Sequence, residues 1–396
     1  MTVGVRLQPV DTLFLRDGTP FDAGGAPQED VRSLFPPHPS TMVGALRAAL
    51  ARCNGWSGKG RWPERLNSVL GDGPNLGSLR FDGPIILTEG ERARSHPQRG
   101  TSATTSKILR PLFPIARHLL GTVGTGADEW RPEGYLRPGP AVMCDLGVAV
   151  RLPEFPRDAG DRKLKAAPDG WITKAGLESV LRGKRPGADE IVPGGMLWSE
   201  ERRIGLERDL ITRTAREGRL YSTTHVRVAS GVSLGIRIDG VPSNGWTWPH
   251  GRLVPLGGES RVAECRPWNA EALTISSPLR EIEAAGRVAL IALTPLDLDE
   301  GSACGRELLD IGGGLRVVCA CLDRPHGVGG WDSLARRPLL LRSVLPAGST
   351  LFCEVAAPGR FGRIVRKGGG WLRVGRRTEW GFGLAAAGAW PNQMET

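Results

Sequence analysis

A strand, a proline-rich turn and a helix follow one another in the first fifty residues, and that order narrows the fold more than any other feature of the chain. Residues 3–15 alternate polar and apolar side chains, the period of a half-buried strand. The run Phe35-Pro36-Pro37-His38-Pro39-Ser40-Thr41 then leads into Val43, Leu46, Ala49 and Leu50 at helical spacing, with Ser40 or Thr41 as the natural N-cap. Residues 78–88 read as a second strand, so the chain opens β–α–β, the first half of a ferredoxin-like unit.

At the far end, Gly375-Arg376-Arg377-Thr378-Glu379-Trp380-Gly381-Phe382-Gly383 reads as a glycine-rich loop between strands. Helix N-termini, the amides of glycine-rich loops and arginines all bind phosphate. The two ends of the chain together suggest a protein that holds a nucleic-acid backbone. Its charge agrees: 52 basic against 42 acidic residues give +10 and a pI near 9.7. That balance favours nucleic acid, an anionic membrane or an acidic subunit without choosing among them. Lysine occupies only seven positions, so arginine, suited to bidentate phosphate contacts and base stacking, supplies nearly all the cations. Codon bias toward Arg, Ala and Gly accounts for most of that excess.

At 396 residues the chain has room for two domains. Residues 89–110 are polar, basic and turn-rich, either a mobile loop or an extended hairpin; 120–140 and 153–170 are Gly/Pro-rich insertions. A short helix is expected over 172–182, paired strands over 202–240, and a strand ending in a glycine turn over 251–261. A helix over 277–286 and strands over 287–294, 315–322 and 348–356 follow, an order compatible with a second ferredoxin-like unit. The boundary is placed near 215–225. The expected architecture is α+β: two RNA-recognition-like (ferredoxin-like) domains with long insertions, 1–220 and 221–396. No window approaches 18 apolar residues, no signal-peptide pattern opens the chain, and seven scattered cysteines suit reduced thiols, so a cytoplasmic protein without a membrane partner is expected.

Several residues could carry chemistry. Ser40 and Thr41, with Gly44 and Arg47, could seat a phosphate on the helix N-terminus, or simply cap and pack the helix. Arg16 could reach the same phosphate or pair with Asp17 or Asp22. Arg376, Arg377, Trp380, Gly381 and Gly383 form the better backbone-binding candidate, against the plain alternative of a turn. Gly257, Gly258 and Arg261 follow similar logic, although the intervening Glu259 argues against pure phosphate binding. Arg202 and Arg203 follow Glu200-Glu201 and read as a solvated ion-pair face. Six histidines are scattered. His38, between prolines, is the one candidate general base, with RNA stacking or a structural role the commoner use. Cys319-Ala320-Cys321 with His326 lacks zinc-site spacing, and no Walker A, HExxH or GxSxG motif occurs, so no metal, cofactor or catalytic residue is expected.

In order along the chain, Arg16-Asp17-Gly18, Pro20-Phe21, the Phe35–Arg47 run, Arg202-Arg203-Ile204-Gly205, Gly218-Arg219-Leu220-Tyr221, Gly257-Gly258-Glu259-Ser260-Arg261 and the terminal glycine-rich loop resemble one family. This is the third subunit of the Cmr complex, the type III-B CRISPR effector, in the RAMP superfamily. The resemblance covers most of the chain. It implies two RNA-recognition-like domains and binding of the repeat-derived 5′ handle of CRISPR RNA. It also implies docking on the large palm-domain signalling subunit and on a neighbouring RAMP backbone subunit. A projecting thumb near the target RNA is expected, within 89–140 or 153–200. The implied role is non-catalytic antiviral scaffolding. Two alternatives stand beside it: a processing endoribonuclease of the same superfamily, and an adaptor that touches protein only.

Overall fold

The computed structural model describes residues 1–16, 31–91, 107–124, 130–143, 145, 147, 149–156, 160, 162–167, 169–298, 307–308, 314–332 and 334–391. In chain order the first strands are β1 (Val3–Pro9), β2 (Arg80–Glu91), β3 (Lys107–Pro114), β4 (Gly170–Thr173) and β5 (Ile191–Pro193). A ribbon of β6 (Trp198–Arg208) and β7 (Ala215–Val228) follows, then β8 (Val232–Asp239), β9 (Leu253–Pro255) and β10 (Val262–Trp268). All except the ribbon lie in one eight-stranded antiparallel sheet of order β5-β4-β3-β2-β8-β1-β10-β9.

Helix α1 (Pro39–Cys53) crosses from β1 to β2. It buries Met42, Val43, Leu46 and Leu50 against Val5, Leu7, Phe81 and Ile236 of the sheet. The helix begins earlier than the sequence suggested. Pro39 takes the first helical position, where a missing N–H costs nothing, and His38 is the N-cap, with no side-chain capping bond. Ser40 and Thr41 therefore lie in the first turn rather than at the cap. Because α1 carries the chain back before β2 begins, β1 and β2 run parallel, and β8 fills the gap between them by pairing antiparallel with both.

Helix α2 (Lys174–Leu181) follows β4, and its N-cap Thr173 accepts from Gly176 N at 3.2 Å. Beyond β10 come α3 (Leu279–Ala285), β11 (Arg287–Ala292), β12 (Glu307–Leu308), β13 (Leu315–Cys321), a short hairpin of β14 (His326–Val328) and β15 (Arg342–Val344), β16 (Thr350–Val355), α4 (Pro358–Gly368), β17 (Trp371–Arg373) and β18 (Leu384–Gly388). The second sheet has the order β12-β13-β16-β11-β18-β17. Within each sheet four strands repeat one permutation, β2-β8-β1-β10 and β13-β16-β11-β18.

The expected boundary at 220 falls inside β7, and β8, β9 and β10 return to the first sheet. By strand pairing the break between the sheets lies between Trp268 and Arg287. The reason is the antiparallel partner that β1 and β2 require between them. One apolar core joins the two sheets: Leu177, Val180 and Leu181 of α2 pack with Ile85 and Leu87 on one side and with Ile291, Leu384 and Ala386 on the other. Of the expected Gly/Pro-rich insertions, 120–140 overlaps strands Leu119–Val123, Trp130–Tyr135 and Arg137–Met143, and 153–170 overlaps the end of Ala149–Glu154 and contains Lys165–Ala166. Their prolines and glycines sit in short two- and three-stranded sheets, where a missing ladder bond is tolerated. The basic segment 92–106 lies outside the described residues, as do Asp17 and Asp22. Among the described residues no helix is long and apolar enough to cross a membrane.

Candidate nucleic-acid interface

The two ends of the chain singled out by sequence meet. His38, at the start of α1, stacks on His326 of β14 with ring centroids 5.1 Å apart. Burial, with the nearby His326 and Arg377, lowers His38 to about 4. Its Nε2 is buried with no hydrogen-bond partner. Arg377 reaches the same corner from the glycine-rich loop. There its Nε donates to Asp297 Oδ2 at 2.5 Å, and its guanidinium lies 4.1 Å from the Phe382 ring.

Arg47 is not presented to a phosphate. It is 5 % exposed, and its Nε and Nη2 donate to Leu70 O at 2.9 and 2.6 Å. Nη1 donates to Gly73 O and Nη2 also to Asn75 O, both at 2.9 Å. The guanidinium is sandwiched by Trp62 and Trp380 at 5.1 and 5.5 Å. Trp380 therefore packs on Arg47, and its Nε1 donates to Pro74 O at 3.2 Å. Two loop glycines have backbone reasons. A Cβ on Gly381 (φ 90°) would lie 2.4 Å from Gly83 O, and one on Gly383 (φ 71°) 1.8 Å from Val374 O. Only glycine permits these approaches. Arg376 is exposed on the same loop, and its backbone N donates to Asp297 O. Ser40 and Thr41 are half-buried on the first turn of α1, and Gly44 is exposed with open space where a Cβ would stand.

Gly257, Gly258 and Arg261 lie at a second place. Gly258 N donates to Phe14 O, and Glu259 and Ser260 take φ of 51° and 56°, the signature of a tight hairpin turn. Arg261 pairs with Asp11 at 3.1 Å. Glu259 lies 3.0 Å from His225 Nε2, and His225 Nδ1 lies 3.1 Å from Thr12 Oγ1 beneath the Phe14 ring. Burial holds His225 below the usual imidazole range, against the pull of Glu259. This turn anchors residues 11–15, which run on to Arg16, bridged to Ser33. Arg203 pairs with Glu201 at 2.8 Å, as the acidic–basic run implied; Arg227, not part of that reading, pairs with the same carboxylate at 2.6 Å, and Arg202 Nη2 donates to Ser222 Oγ.

The sequence reading did not single out what lies between the loop and the first sheet. A cleft of about 490 Å³ opens between the turn 74–77 and the loop, with Arg80, Arg373, Thr378 and Glu379 on its walls. At its base Arg373 makes a bidentate pair with Asp82 at 2.9 and 2.8 Å. Burial pushes the Asp82 carboxyl up against the pull of Arg373 and Arg237. No local signal links residues 82 and 373; only the pairing of β2 and β17 with their sheets brings them together. Among the described residues no group of three or more His, Cys, Asp or Glu could hold a metal ion, and Cys319 and Cys321 are buried.

Residues 5–390 match the family of CRISPR-associated proteins described as Cas_Cmr3. The chain belongs to this family. It is the family that the quoted sequence segments resembled. Solved structures with a similar chain include a type III-B Cmr-beta complex bound to cognate target RNA and AMPPnP, at 18% identity and TM-score 0.48, covering 88% of this chain and 86% of that one. Another is a type III-A Csm3–Csm4 subcomplex, at 11% identity and TM-score 0.36, covering 90% and 94%. No curated protein sequence matches the chain.

Proposed function

We propose that this Cas_Cmr3 protein is a non-catalytic subunit of a type III-B effector complex that grips the 5′ handle of the CRISPR RNA. The observation that carries the reading is the convergence of the α1 N-terminus, His38, His326, Arg377 and the glycine-rich loop at one corner. The adjoining cleft is of a size to take a nucleotide base splayed from the handle, the usual way single-stranded RNA is read. Each sheet supports a ferredoxin-type, RNA-recognition-like reading, through the shared strand permutation with one crossover helix apiece, α1 and α4. The endoribonuclease alternative is disfavoured at His38. A base held near 4 is weak at neutral pH, and its buried Nε2 has no hydrogen-bond partner among the described residues.

Two projecting features support the remaining roles. The β6–β7 ribbon carries Leu210 and Ile211 at its tip, 88% and 92% exposed, and suits a thumb beside target RNA. It begins at the end of the second window where a thumb was expected, and its tip lies beyond it. The β14–β15 hairpin exposes Trp331, Leu334, Leu339, Leu340 and Leu341 beside Arg336, Arg337 and Arg342, a surface suited to an acidic-rimmed protein subunit such as the large signalling subunit or a backbone neighbour. Such an assembly is cytoplasmic. The test is ultraviolet crosslinking of the complex purified with its guide RNA. Handle nucleotides crosslinked to 35–50 or 375–383 are expected. Crosslinks confined to other subunits would leave this chain a protein-only adaptor.

A further inference from the structure

Helix α4 carries Arg360, Arg363, Arg366 and Lys367, all exposed, and no acidic residue. Its opposite face buries Phe361, Gly362 and Val365 in the second core. Arg366 pairs with Glu283 of α3 at 2.7 Å. Arg360, Arg363 and Lys367 have no such partner among the described residues. They stand at i, i+3 and i+7, a single stripe rising about 10 Å along the axis.

This arrangement works against the helix that bears it. Arg360 lies in the first turn, where the positive end of the macrodipole repels a cation and no acid offsets it. Arg363 follows one turn later, a like-charge neighbour. Helix stability therefore does not explain the stripe. Its exposed face also lacks the apolar centre of a protein interface, since the large apolar residues of α4 point inward. Unpaired arginines on a rigid element, spaced at about a helical turn, match the spacing of a polyanion.

We infer that the outer face of α4 is a second, sequence-independent binding surface for a single-stranded RNA backbone, separate from the corner that holds the handle. The proposal does not depend on the handle reading. The test is binding of the full-length chain to an oligouridine with no match to any guide, across a salt series, in parallel with handle crosslinking of the assembled complex. Replacing Arg360, Arg363 and Lys367 together by Ala is expected to flatten the slope of log affinity against log salt by about 2, the share of three phosphates on single strands. Handle crosslinks should be unchanged, and the midpoint of unfolding should hold or rise. A variant with Lys at 360 and 363 and native Lys367 should retain most of the slope, because a phosphate backbone needs charge rather than a fork. An unchanged slope in the triple-Ala variant would overturn the proposal. So would hydrogen-exchange protection of α4 on assembly of the protein subunits without guide or target RNA, which would show a protein partner covering it. Loss of handle crosslinks in wild type with an intact salt slope would sink the handle reading alone.

Discussion

Gly383 and Gly44 test opposite uses of the same residue. At Gly383, with φ 71° and Val374 O only 1.8 Å from a built Cβ, alanine must move backbone, and Gly383→Ala should cost more than about 2 kcal/mol in denaturant unfolding. At Gly44, inside α1 with open space around it, alanine should add about 0.5–1 kcal/mol. If RNA approaches the first turns of α1, Gly44→Ala should stabilise the protein and weaken handle binding at once, opposite signs that separate folding from function. Arg47→Leu should cost about 2–4 kcal/mol, because it strips the buried Leu70 carbonyl and the partly buried Gly73 and Asn75 carbonyls of their donors. Lysine should not rescue it, since one ammonium cannot span the three. Histidine gives the pH dependence. Burial holds His38 near 4 and His118 near 3, below their unfolded value of about 6.5. The unfolded chain therefore takes up protons first. Stability is full above about 6.5 and declines as pH falls toward 4, by about 1.4 kcal/mol per pH unit for each ring. Removing one ring with His118→Gln should lower the slope of unfolding free energy against pH by that amount, and an unchanged slope would show that His118 does not titrate on unfolding.

At the scale of elements, the ribbon makes the sharpest forecast. Leu210 and Ile211 sit in solvent at the β6–β7 tip, so replacing both by Asp should change stability by less than about 0.5 kcal/mol. If the ribbon is the thumb, the same change should alter the nuclease footprint of target RNA along the guide in the assembled complex. What the sequence revealed follows from range. Helix α1 and strands β1, β2, β8, β11 and β16 carry their periods locally and were legible. The start of α1 was misread because Pro39 outranked Ser40 as a helix opener. The segments of the site were legible as well, but their internal uses were not. That Arg47 closes on Trp62 and Trp380, or that Gly258 holds Phe14, depends on partners tens to hundreds of residues away. The boundary was lost for the same reason: nothing near residue 235 announces that β8 pairs with β1.

For the whole molecule the question is what makes two sheets behave as one body. Two ties compete. One is polar: Asp82, 1% exposed, held by Arg373 across the interface, with Arg237 at 3.6 Å. The other is the apolar core shared by Leu177, Val180, Leu181, Ile291, Leu384 and Ala386. Breaking a buried pair costs about 3–5 kcal/mol, and less here because the Arg373 side chain is 40% exposed and Arg237 remains. Each fully buried aliphatic side chain contributes about 1.5–3 kcal/mol, so the shared core outweighs the pair several-fold. Arg373→Ala should therefore lower the unfolding midpoint yet leave a single calorimetric transition. Ala386→Asp places a charge where exposure is 0% and should split the transition into two. The reverse pattern, with Arg373→Ala splitting the transition and Ala386→Asp only shifting it, would make the ion pair the weld. The corner that gathers His38, Arg377 and Trp380 depends on this coupling, because α1 belongs to one sheet and the glycine-rich loop to the other. If the corner grips the handle as proposed, a variant whose sheets unfold separately should lose handle binding even with every residue of the corner intact.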